Sequence, residues 1–253
     1  MFEEAHLPDG TIGFRKFSRG GADARYFAEA AGLAALASTG AVLTPRVYAV
    51  SETELITGLI SQGAASTAGW AELGRQLAAL QAIPQPGFGF TGDNFCGDTP
   101  QPNPRYSDGH AFFAEQRLLY QGQLAFEARL LDATELAALE GICARLVDLV
   151  PAQPPALLHG DLWRGNVLFN EQGRPVLIDP ACYWGWAEAE IGRTALFGGF
   201  PEAFYASWAS ASEPQPGWRE RLPLYNVYHL LNHLNLFGPS YHPGVVEILR
   251  RFS

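Results

Sequence analysis

Alternating apolar and polar residues in the first sixty positions predict a small antiparallel sheet. The segments FEEAHL (2–7) and TIGFRKF (11–17) flank Pro8-Asp9-Gly10, which is typical of a tight hairpin turn. From Ala24 to Ser38 the apolar residues recur at helical spacing, and Gly40 ends the run. RVYAV and ELITGLI predict two more strands. The predicted buried face of the helix consists of Phe27, Ala30, Ala31, Ala34 and Leu36.

Beyond residue 62 the pattern changes to helices. Trp70, Leu73, Leu77 and Leu80 share one helical face, and the Pro- and Gly-rich stretch 83–104 predicts a long loop. Further helices are predicted over 111–131, over 134–150 with Thr134 as the N-cap, and near 222–237. The predicted fold class is α+β, with a strand-rich lobe over residues 1–62 and a mainly helical lobe over residues 63–253.

Composition and charge exclude several classes of protein. Hydrophobic residues make up 47% of the chain and charged residues 17%, which is ordinary for a globular protein. The net charge of −9 argues against a nucleic-acid partner, and no apolar run reaches the roughly 20 residues of a membrane helix. Acidic residues stand where a signal peptide carries positive charge, and the three cysteines lack C-x-x-C spacing. We therefore expect a cytoplasmic protein with no membrane partner.

One lysine stands out among the basic residues. Sixteen of the seventeen are arginine, and Lys16 is the only lysine. A nucleotide-composition bias accounts for the excess of arginine. Because lysine is a compact point charge and arginine a planar fork, a lysine retained under such a bias marks a position where arginine does not substitute.

The segment LLHGDLWRGNVLF (157–169) concentrates polar groups between apolar ends. Burying such groups without partners costs roughly 2–7 kcal/mol each, so the segment either binds something or forms a solvated turn. The strands NVLF and VLID that follow predict a hairpin around Gly173 and Pro175. With the turn centred between residues 172 and 173, Asn166 faces Asp179 at the open end, and Asp161 lies in the loop just before.

These three residues fit the chemistry of phosphoryl transfer. Asn166 and Asp179 offer the oxygen ligands that Mg²⁺ takes beside phosphates, and Asp161 can accept a proton from a hydroxyl. His159, Asp161 and Asn166 meet the H-x-D-x-x-x-x-N spacing of protein kinases, whereas Pro180 and Ala181 replace the end of the D-F-G motif. Asx residues also flank hairpins for structural reasons, but the combined spacing favours a catalytic site. Lys16, thirteen residues before Glu29, then predicts a strand-to-helix ion pair that orients the lysine toward phosphates.

The segments HGDLWRGNVLF, IDPACYWG, LFGGFP and YHLLNHLNLFG resemble the fructosamine kinase (ketosamine-3-kinase) family, from about residue 11 to residue 241. The resemblance implies a bilobal protein-kinase-like fold related to aminoglycoside and choline kinases. It also implies ATP- and Mg²⁺-dependent phosphorylation of the 3-hydroxyl of ketosamines, which reverses glycation of amines or proteins. The expected substrate is a small-molecule or protein-bound ketosamine.

Site roles are carried over by this resemblance, position by position. Asp161 matches the catalytic base, Asn166 and Asp179 the metal ligands, and Lys16 with Glu29 the nucleotide-orienting pair. Gly58, Leu59 and Ile60 fall at the hinge whose backbone meets adenine, although the usual hinge glutamate is absent. The residues assigned to the binding site of the phosphoryl-acceptor substrate, the acceptor side, are His159, Trp163, Trp184, His229 and His233. A zinc site formed by His229 and His233 would lack a third ligand. We therefore favour a role for these histidines in packing or in polar contacts with the substrate.

The chain also departs from the family pattern. The family begins with a strand and a glycine-containing loop over the phosphates, and Met1 enters at the second strand. We therefore expect a small sheet that lacks its first strand and this loop. Its open edge weakly favours association, and we expect a monomer or a weak homodimer. Two alternatives stay open: a small-molecule phosphotransferase like the aminoglycoside and choline kinases, and a nucleotide-binding pseudokinase.

Overall fold

The computed structural model describes all 253 residues, which form two compact units. The first unit consists of Met1–Ile83, His159–Cys182 and Gly199–Glu213, and the second of Pro84–Leu158, Tyr183–Gly198 and Pro214–Ser253. The lobe boundary predicted at residue 62 stays a prediction, since the first unit continues past it to Ile83. None of the helices combines the length and apolar character needed to cross a bilayer.

The secondary structure alternates between short strands and helices along the chain. The strands are β1 Phe2–His6, β2 Ile12–Phe17, β3 Val47–Val50, β4 Glu54–Gly58, β5 Asn94–Cys96, β6 Thr99–Gln101, β7 Ala156–Leu158, β8 Val167–Phe169, β9 Pro175–Leu177 and β10 Tyr183–Gly185. The α-helices are α1 Arg25–Ser38, α2 Thr67–Gln81, α3 Gly109–Phe113, α4 Tyr120–Glu127, α5 Ala133–Ala144, α6 Leu146–Leu149, α7 Ala187–Ala195, α8 Glu202–Ser212, α9 Trp218–Phe237 and α10 His242–Phe252.

The first unit contains the predicted antiparallel sheet, with strand order β1-β2-β4-β3. Its opening hairpin forms as predicted, because Gly10 adopts φ +83° and the side chain of Asp9 accepts from the amide of Thr11 at 2.9 Å. The register pairs Phe2 with Lys16 and Lys16 with Leu55, which puts Lys16 in the middle of the sheet. The sheet therefore supports the only lysine from both sides.

Helix α1 is present where predicted, but it buries only part of the predicted face, Ala30 and Leu36. Tyr26, Ala30, Leu33 and Leu36 are buried, whereas Phe27 is 47% exposed and Ala31 and Ala34 face solvent. The buried set follows i, i+4, i+7 spacing, and Tyr26 and Ala30 pack with Leu55 of the sheet. The abundant alanines had made the two faces of the helix hard to distinguish from sequence.

Helix α2 begins with the side chain of Ser66 accepting from the amide of Gly69 and buries the predicted stripe of Trp70, Leu73, Leu77 and Leu80. It packs closely on α8 at Gly74. A Cβ built there lies 2.4 Å from the carbonyl oxygen of Phe204 and 2.4 Å from the hydroxyl of Ser207, so only glycine allows this approach.

The second unit is mainly helical and is built around α9. Glu188, which is 2% exposed, receives two bonds from Arg221 at 2.7 and 2.8 Å and one from the hydroxyl of Tyr225 at 2.9 Å. These bonds join α7 to α9 and satisfy the buried carboxylate. Two details of the prediction are wrong: Asp132, with Glu135 in a capping box, caps α5 instead of Thr134, and the long loop contains the β5–β6 hairpin.

The predicted helix over 111–131 is interrupted by a π-helical turn over Ala114–Leu119. Arg117 lies in this turn and is completely buried. Its guanidinium donates to the carbonyl of Pro102 at 2.9 Å and to the side chain of Asn103 at 2.6 Å, and it covers the ring of Tyr183 at 4.1 Å. The extra residue of a π turn changes the direction of the side chain, which directs Arg117 inward to these partners.

His229 is a buried titratable residue of α9. It is 3% exposed, and its Nδ1 atom has no hydrogen-bond partner. Burial lowers the pKa of His229 well below its usual range, and the positive charges of Arg193, His233 and Arg117 add to this effect. The imidazole is therefore neutral in the folded protein at neutral pH.

We expect Gly74→Ala to lower the free energy of unfolding by roughly 1–3 kcal/mol, because the new methyl group overpacks the contact between α2 and α8. Gly141 in α5 is the matched control, since no atom lies within 4 Å of a Cβ built there. Gly141→Ala is expected to raise the same free energy by about 0.5–1 kcal/mol. Urea titration measures both changes, and equal stability of the two variants would contradict this packing.

We also expect the protein to lose stability as the pH falls below the ordinary histidine pKa of about 6.5. The pKa of His229 is lower in the folded protein than in the unfolded chain. As the pH falls, the unfolded chain therefore binds a proton that the folded chain does not bind. The loss from this residue is on the order of 1 kcal/mol between roughly pH 7.5 and pH 5.5. Chemical denaturation at both pH values measures it. His229→Gln should reduce the loss, whereas His6→Gln, on exposed β1, should not.

Candidate active site

The hairpin at the centre of the site pairs one residue away from the predicted register. Asn166 faces Ile178, whose amide donates to the carbonyl of Asn166 at 3.1 Å, so the predicted pairing of Asn166 with Asp179 is wrong. The observed pairs are Val167 with Leu177, Leu168 with Val176 and Phe169 with Pro175.

The turn of this hairpin explains the shift. Asn170 and Arg174 close a loop of three residues centred on residue 172, whereas the prediction centred the turn between residues 172 and 173. The amide of Asn170 donates to the carbonyl of Arg174 at 3.0 Å, and the amide of Gly173 donates to the carbonyl of Asn170 at 2.7 Å. Gly173 adopts φ +71°, the left-handed conformation that a three-residue hairpin loop needs in its last position.

Asp179 nevertheless reaches Asn166, because the chain turns sharply after β9. Asp179 adopts φ +55°, and its carbonyl oxygen lies 3.4 Å from Nδ2 of Asn166. The same Nδ2 atom donates to the carbonyl of Asp161 at 2.9 Å and lies 3.5 Å from Oδ2 of Asp161. The structure therefore brings the three residues together around the side chain of Asn166.

His159 stabilises the loop that contains Asp161. It is fully buried, and its Nε2 donates to the carbonyl of Ile178 at 2.8 Å while Nδ1 accepts from the amide of Asp161 at 3.3 Å. The amide of Ala181 donates to the carbonyl of His159 at 2.8 Å, so the two chain segments are tied together twice. Both ring nitrogens thus face the backbone, and a substrate contact by His159 stays a prediction.

Lys16 joins the strand, the helix and the hairpin of the first unit. Its Nζ donates to both carboxylate oxygens of Glu29, at 2.8 and 3.0 Å, and to Oδ1 of Asp179 at 2.5 Å. The lysine–glutamate pair predicted from the sequence is present, and the contact with Asp179 was not foreseen. Lys16 and Glu29 are 23% and 18% exposed, and Asp179 is 45% exposed.

The electrostatics of this cluster follow from its burial. Burial acts to lower the pKa of Lys16, but the carboxylates of Glu29 and Asp179 outweigh it and raise the pKa above its usual value. Burial raises the pKa of Glu29, Lys16 opposes this, and the negative charge of Asp179 adds to the rise. The ammonium therefore stays charged and orients both acids.

An apolar cleft of about 220 Å³ adjoins Lys16, Glu29 and Asp179 within the first unit. The predicted hinge residues Gly58, Leu59 and Ile60 line it. Its apolar surface and its charged end are the two features that a nucleotide base and its phosphates need. The other residues in its lining are Phe14, Pro45, Thr57, Gln62, Leu168 and Ile178.

These six further lining residues were not predicted from the sequence, although three of them have a local signal. Phe14 lies two positions before Lys16 on β2 and so shares its face of the sheet. Leu168 is only partly buried between the buried residues Val167 and Phe169, and Ile178 follows the same hairpin. Strand alternation thus marks residues of a cleft as well as residues of a core.

The residues present suit a divalent cation with hard oxygen ligands. Because Nδ2 of Asn166 is directed at carbonyl oxygens of Asp161 and Asp179, the amide oxygen points away from them. The amide oxygen of Asn166 and the carboxylate of Asp179 are the kinds of donor that Mg²⁺ takes together with phosphates. Asn166 and Asp179 are therefore the residues that would hold the ion.

Trp163, a predicted acceptor residue, lies two positions after Asp161 in the chain. Its indole is 41% exposed and lies against Gly165, where a Cβ would come within 2.4 Å of the ring. Glycine at 165 therefore allows the indole to take this position. An exposed aromatic ring two residues from Asp161 is suited to contact an acceptor, and that role stays a prediction.

The other predicted acceptor residues belong to the second unit. Trp184 is 7% exposed, and Arg105 covers its ring at 3.9 Å. Nδ1 of His233 donates to the carbonyl of His229 at 2.7 Å, and burial lowers the pKa of His233. Rings of Phe197, Phe237 and Tyr241 surround His233 at 5.0, 5.4 and 5.1 Å. These surroundings fit the packing role that was favoured over zinc binding.

The chain is similar in sequence to known proteins over most of its length. It is 40% identical over 229 residues to a protein from Synechocystis sp. provisionally named ketoamine kinase, covering 88% of this chain and 77% of that one. It is 36% identical over 248 residues to the protein-ribulosamine 3-kinase, chloroplastic, of Arabidopsis thaliana, covering 93% of this chain and 74% of that one.

Solved structures agree with the sequence comparison. The crystal structure of a protein from Thermobifida fusca, provisionally named fructosamine-3-kinase, superposes with a TM-score of 0.92 at 31% identity, covering 98% of this chain and 88% of that one. Aminoglycoside phosphotransferases and a choline kinase, at 14 to 16% identity, share the fold alone. The predicted kinase-like α+β class is confirmed. The fructosamine kinase family model matches residues 9–252, and the chain belongs to the fructosamine kinase family.

Proposed function

We propose that this protein transfers the γ-phosphoryl group of ATP, with Mg²⁺, to the 3-hydroxyl of ketosamines such as fructosamine and ribulosamine adducts. The observation that carries this proposal is the meeting of Asp161, Asn166 and Asp179 around one amide, beside a lysine–glutamate pair. This arrangement supplies a base, a metal ligand set and a cation for phosphates, the parts that phosphoryl transfer requires.

The nucleotide is assigned to the cleft of the first unit. The adenine ring of the nucleotide lies between the apolar side chains, and the backbone of Gly58, Leu59 and Ile60 contacts its polar edge. Lys16, oriented by Glu29, binds the phosphates as a point charge. Mg²⁺ bound by Asn166 and Asp179 would neutralise charge on the phosphates.

Asp161 is assigned as the general base. Its carboxylate accepts the proton of the acceptor hydroxyl as the oxygen of that hydroxyl forms a bond to the γ-phosphorus of ATP. The bond between this phosphorus and the β–γ bridging oxygen breaks, and ADP leaves. The loop holds this carboxylate in place through the bonds of His159 to Ile178 and of Asn166 to the Asp161 carbonyl. A carboxylate held this way loses little orientational freedom when the acceptor binds.

The acceptor is assigned to the side of Trp163. An indole presents an apolar face to the C–H groups of a sugar, and this one is exposed and lies two residues from the proposed base in the chain. His159, Trp184, His229 and His233 stay assigned to the acceptor side as predictions, with His229 entering as a neutral imidazole.

Ketosamines are favoured over other amino-alcohols because the relatives at 36 to 40% identity are named ketoamine and ribulosamine kinases. Aminoglycoside and choline kinases resemble the chain in fold alone and do not argue for their substrates. Three points stay predictions from the sequence. They are a ketosamine acceptor that is either free or protein-bound, a cytoplasmic location, and a monomeric or weakly dimeric state.

A panel of acceptors tests this function. With Mg-ATP, we expect phosphate incorporation into fructosyl-lysine and ribulosyl-lysine, and none into an aminoglycoside or choline. The products are measured by mass spectrometry, and the parent sugars and lysine serve as controls. Phosphorylation of an aminoglycoside alone would support the second phosphotransferase class. Binding of Mg-ATP without any turnover would support a pseudokinase.

We expect Asp161→Asn to lower kcat by about 10²–10⁴-fold, because the amide cannot accept the hydroxyl proton. Mg-ATP binding, measured by calorimetry, should change little, since the nucleotide cleft does not include Asp161. Asp148→Asn, at an exposed position of α6, is the matched control and should keep the wild-type rate. A wild-type rate in Asp161→Asn would remove this residue from the role of base.

A further inference from the structure

We infer that Lys16 keeps divalent cations away from Asp179 until a nucleotide binds, so that metal and nucleotide enter the site together. The inference rests on the proposed function, and it concerns the order in which the site fills. Its starting point is the direct contact between the lysine ammonium and the proposed metal ligand, at 2.5 Å.

The ammonium of Lys16 uses its full hydrogen-bonding capacity inside the protein. A lysine offers three N–H donors, and three carboxylate oxygens lie within 3.0 Å of Nζ: two from Glu29 and one from Asp179. No N–H group is left over for a phosphate oxygen. A phosphate that binds Lys16 must therefore replace one of these three partners.

Asp179 is the partner that is released most easily. It is held through one oxygen and is 45% exposed, whereas Glu29 is held through both oxygens and is 18% exposed. Water can solvate the carboxylate of Asp179 as the contact opens, and the carboxylate of Glu29 has less access to water. The exchange of Asp179 for a phosphate thus leaves the lysine–glutamate pair intact.

The same contact opposes a metal ion that arrives alone. A divalent cation on Asp179 would lie beside a second positive charge already bonded to that carboxylate, and like charges at this distance repel. A triphosphate removes the obstacle, because its negative charges draw Lys16 away. It also supplies the further oxygen ligands that Mg²⁺ needs beyond one or two from the protein. Nucleotide and metal therefore each raise the affinity for the other.

Manganese titrations without nucleotide test this coupling of metal and nucleotide binding. Mn²⁺ prefers the same oxygen ligands as Mg²⁺, and its free form is visible by electron paramagnetic resonance. We expect Lys16→Met to bind Mn²⁺ at least about tenfold more tightly than the wild type. Arg15→Met is the matched control on the same strand, since Arg15 bonds to Glu3 and Glu54 on the opposite face, and it should leave the affinity unchanged. Adding Asp179→Asn to Lys16→Met should abolish the gain. Equal affinity in wild type and Lys16→Met would overturn the inference.

A second measurement uses the wild-type protein and does not depend on the folding of a variant. Lys16 is the only lysine, so isotopic labelling of lysine at Nζ alone produces a single side-chain NMR signal. Magnesium chloride alone should leave this signal in place, and Mg-ATP should shift it. A shift of equal size with magnesium alone would overturn the coupling of metal and nucleotide binding, but it would not contradict the proposed nucleotide site. Absence of Mg-ATP binding by calorimetry would overturn both this inference and the proposed function.

Discussion

The contact of one ammonium with two carboxylates organises the first unit. Lys16 bridges Glu29, thirteen residues away on α1, and Asp179, 163 residues away after β9. A partly buried cation is stable only when it is paired, so the strand, the helix and the hairpin must approach one another for the charge of Lys16 to be compensated. The cleft, its charged end and the proposed metal ligand all depend on this one bridge.

The loop around Asp161 shows how the backbone bears strain where the chemistry is proposed. Gly160 and Asp179 both adopt positive φ, at +83° and +55°. For Asp179, which has a side chain, such a conformation costs about 1–3 kcal/mol. The bonds of His159 and Asn166 to the carbonyls of Ile178 and Asp161 hold this conformation in place. His159 is thus a positioning residue in this fold, whatever else it does for an acceptor.

The second unit presents its polar residues differently. Arg117, Glu188 and His229 are almost completely buried, and the first two are held by dense networks. The neutral, buried state of His229 reflects the surrounding apolar side chains of α9 and nearby positive charges. Its predicted contact with an acceptor would therefore be that of a neutral hydrogen-bonding group and not of a cation.

The sequence by itself determined the sheet, the main helices, the lysine–glutamate pair and the identities of the three residues around Asn166, because strand alternation, turn residues and motif spacing are local signals. The tertiary structure decided the buried face of α1, the π turn at Arg117 and the contact of Lys16 with Asp179. The one-residue register error had a local cause, since the turn is centred on residue 172 and the prediction centred it between residues 172 and 173. The remaining differences arise from partners far apart in the chain: Leu55 selects the face of an alanine-rich helix, and Asp179 meets Lys16 only when the hairpin has folded against the sheet. Spacing within a segment carries no information about such partners.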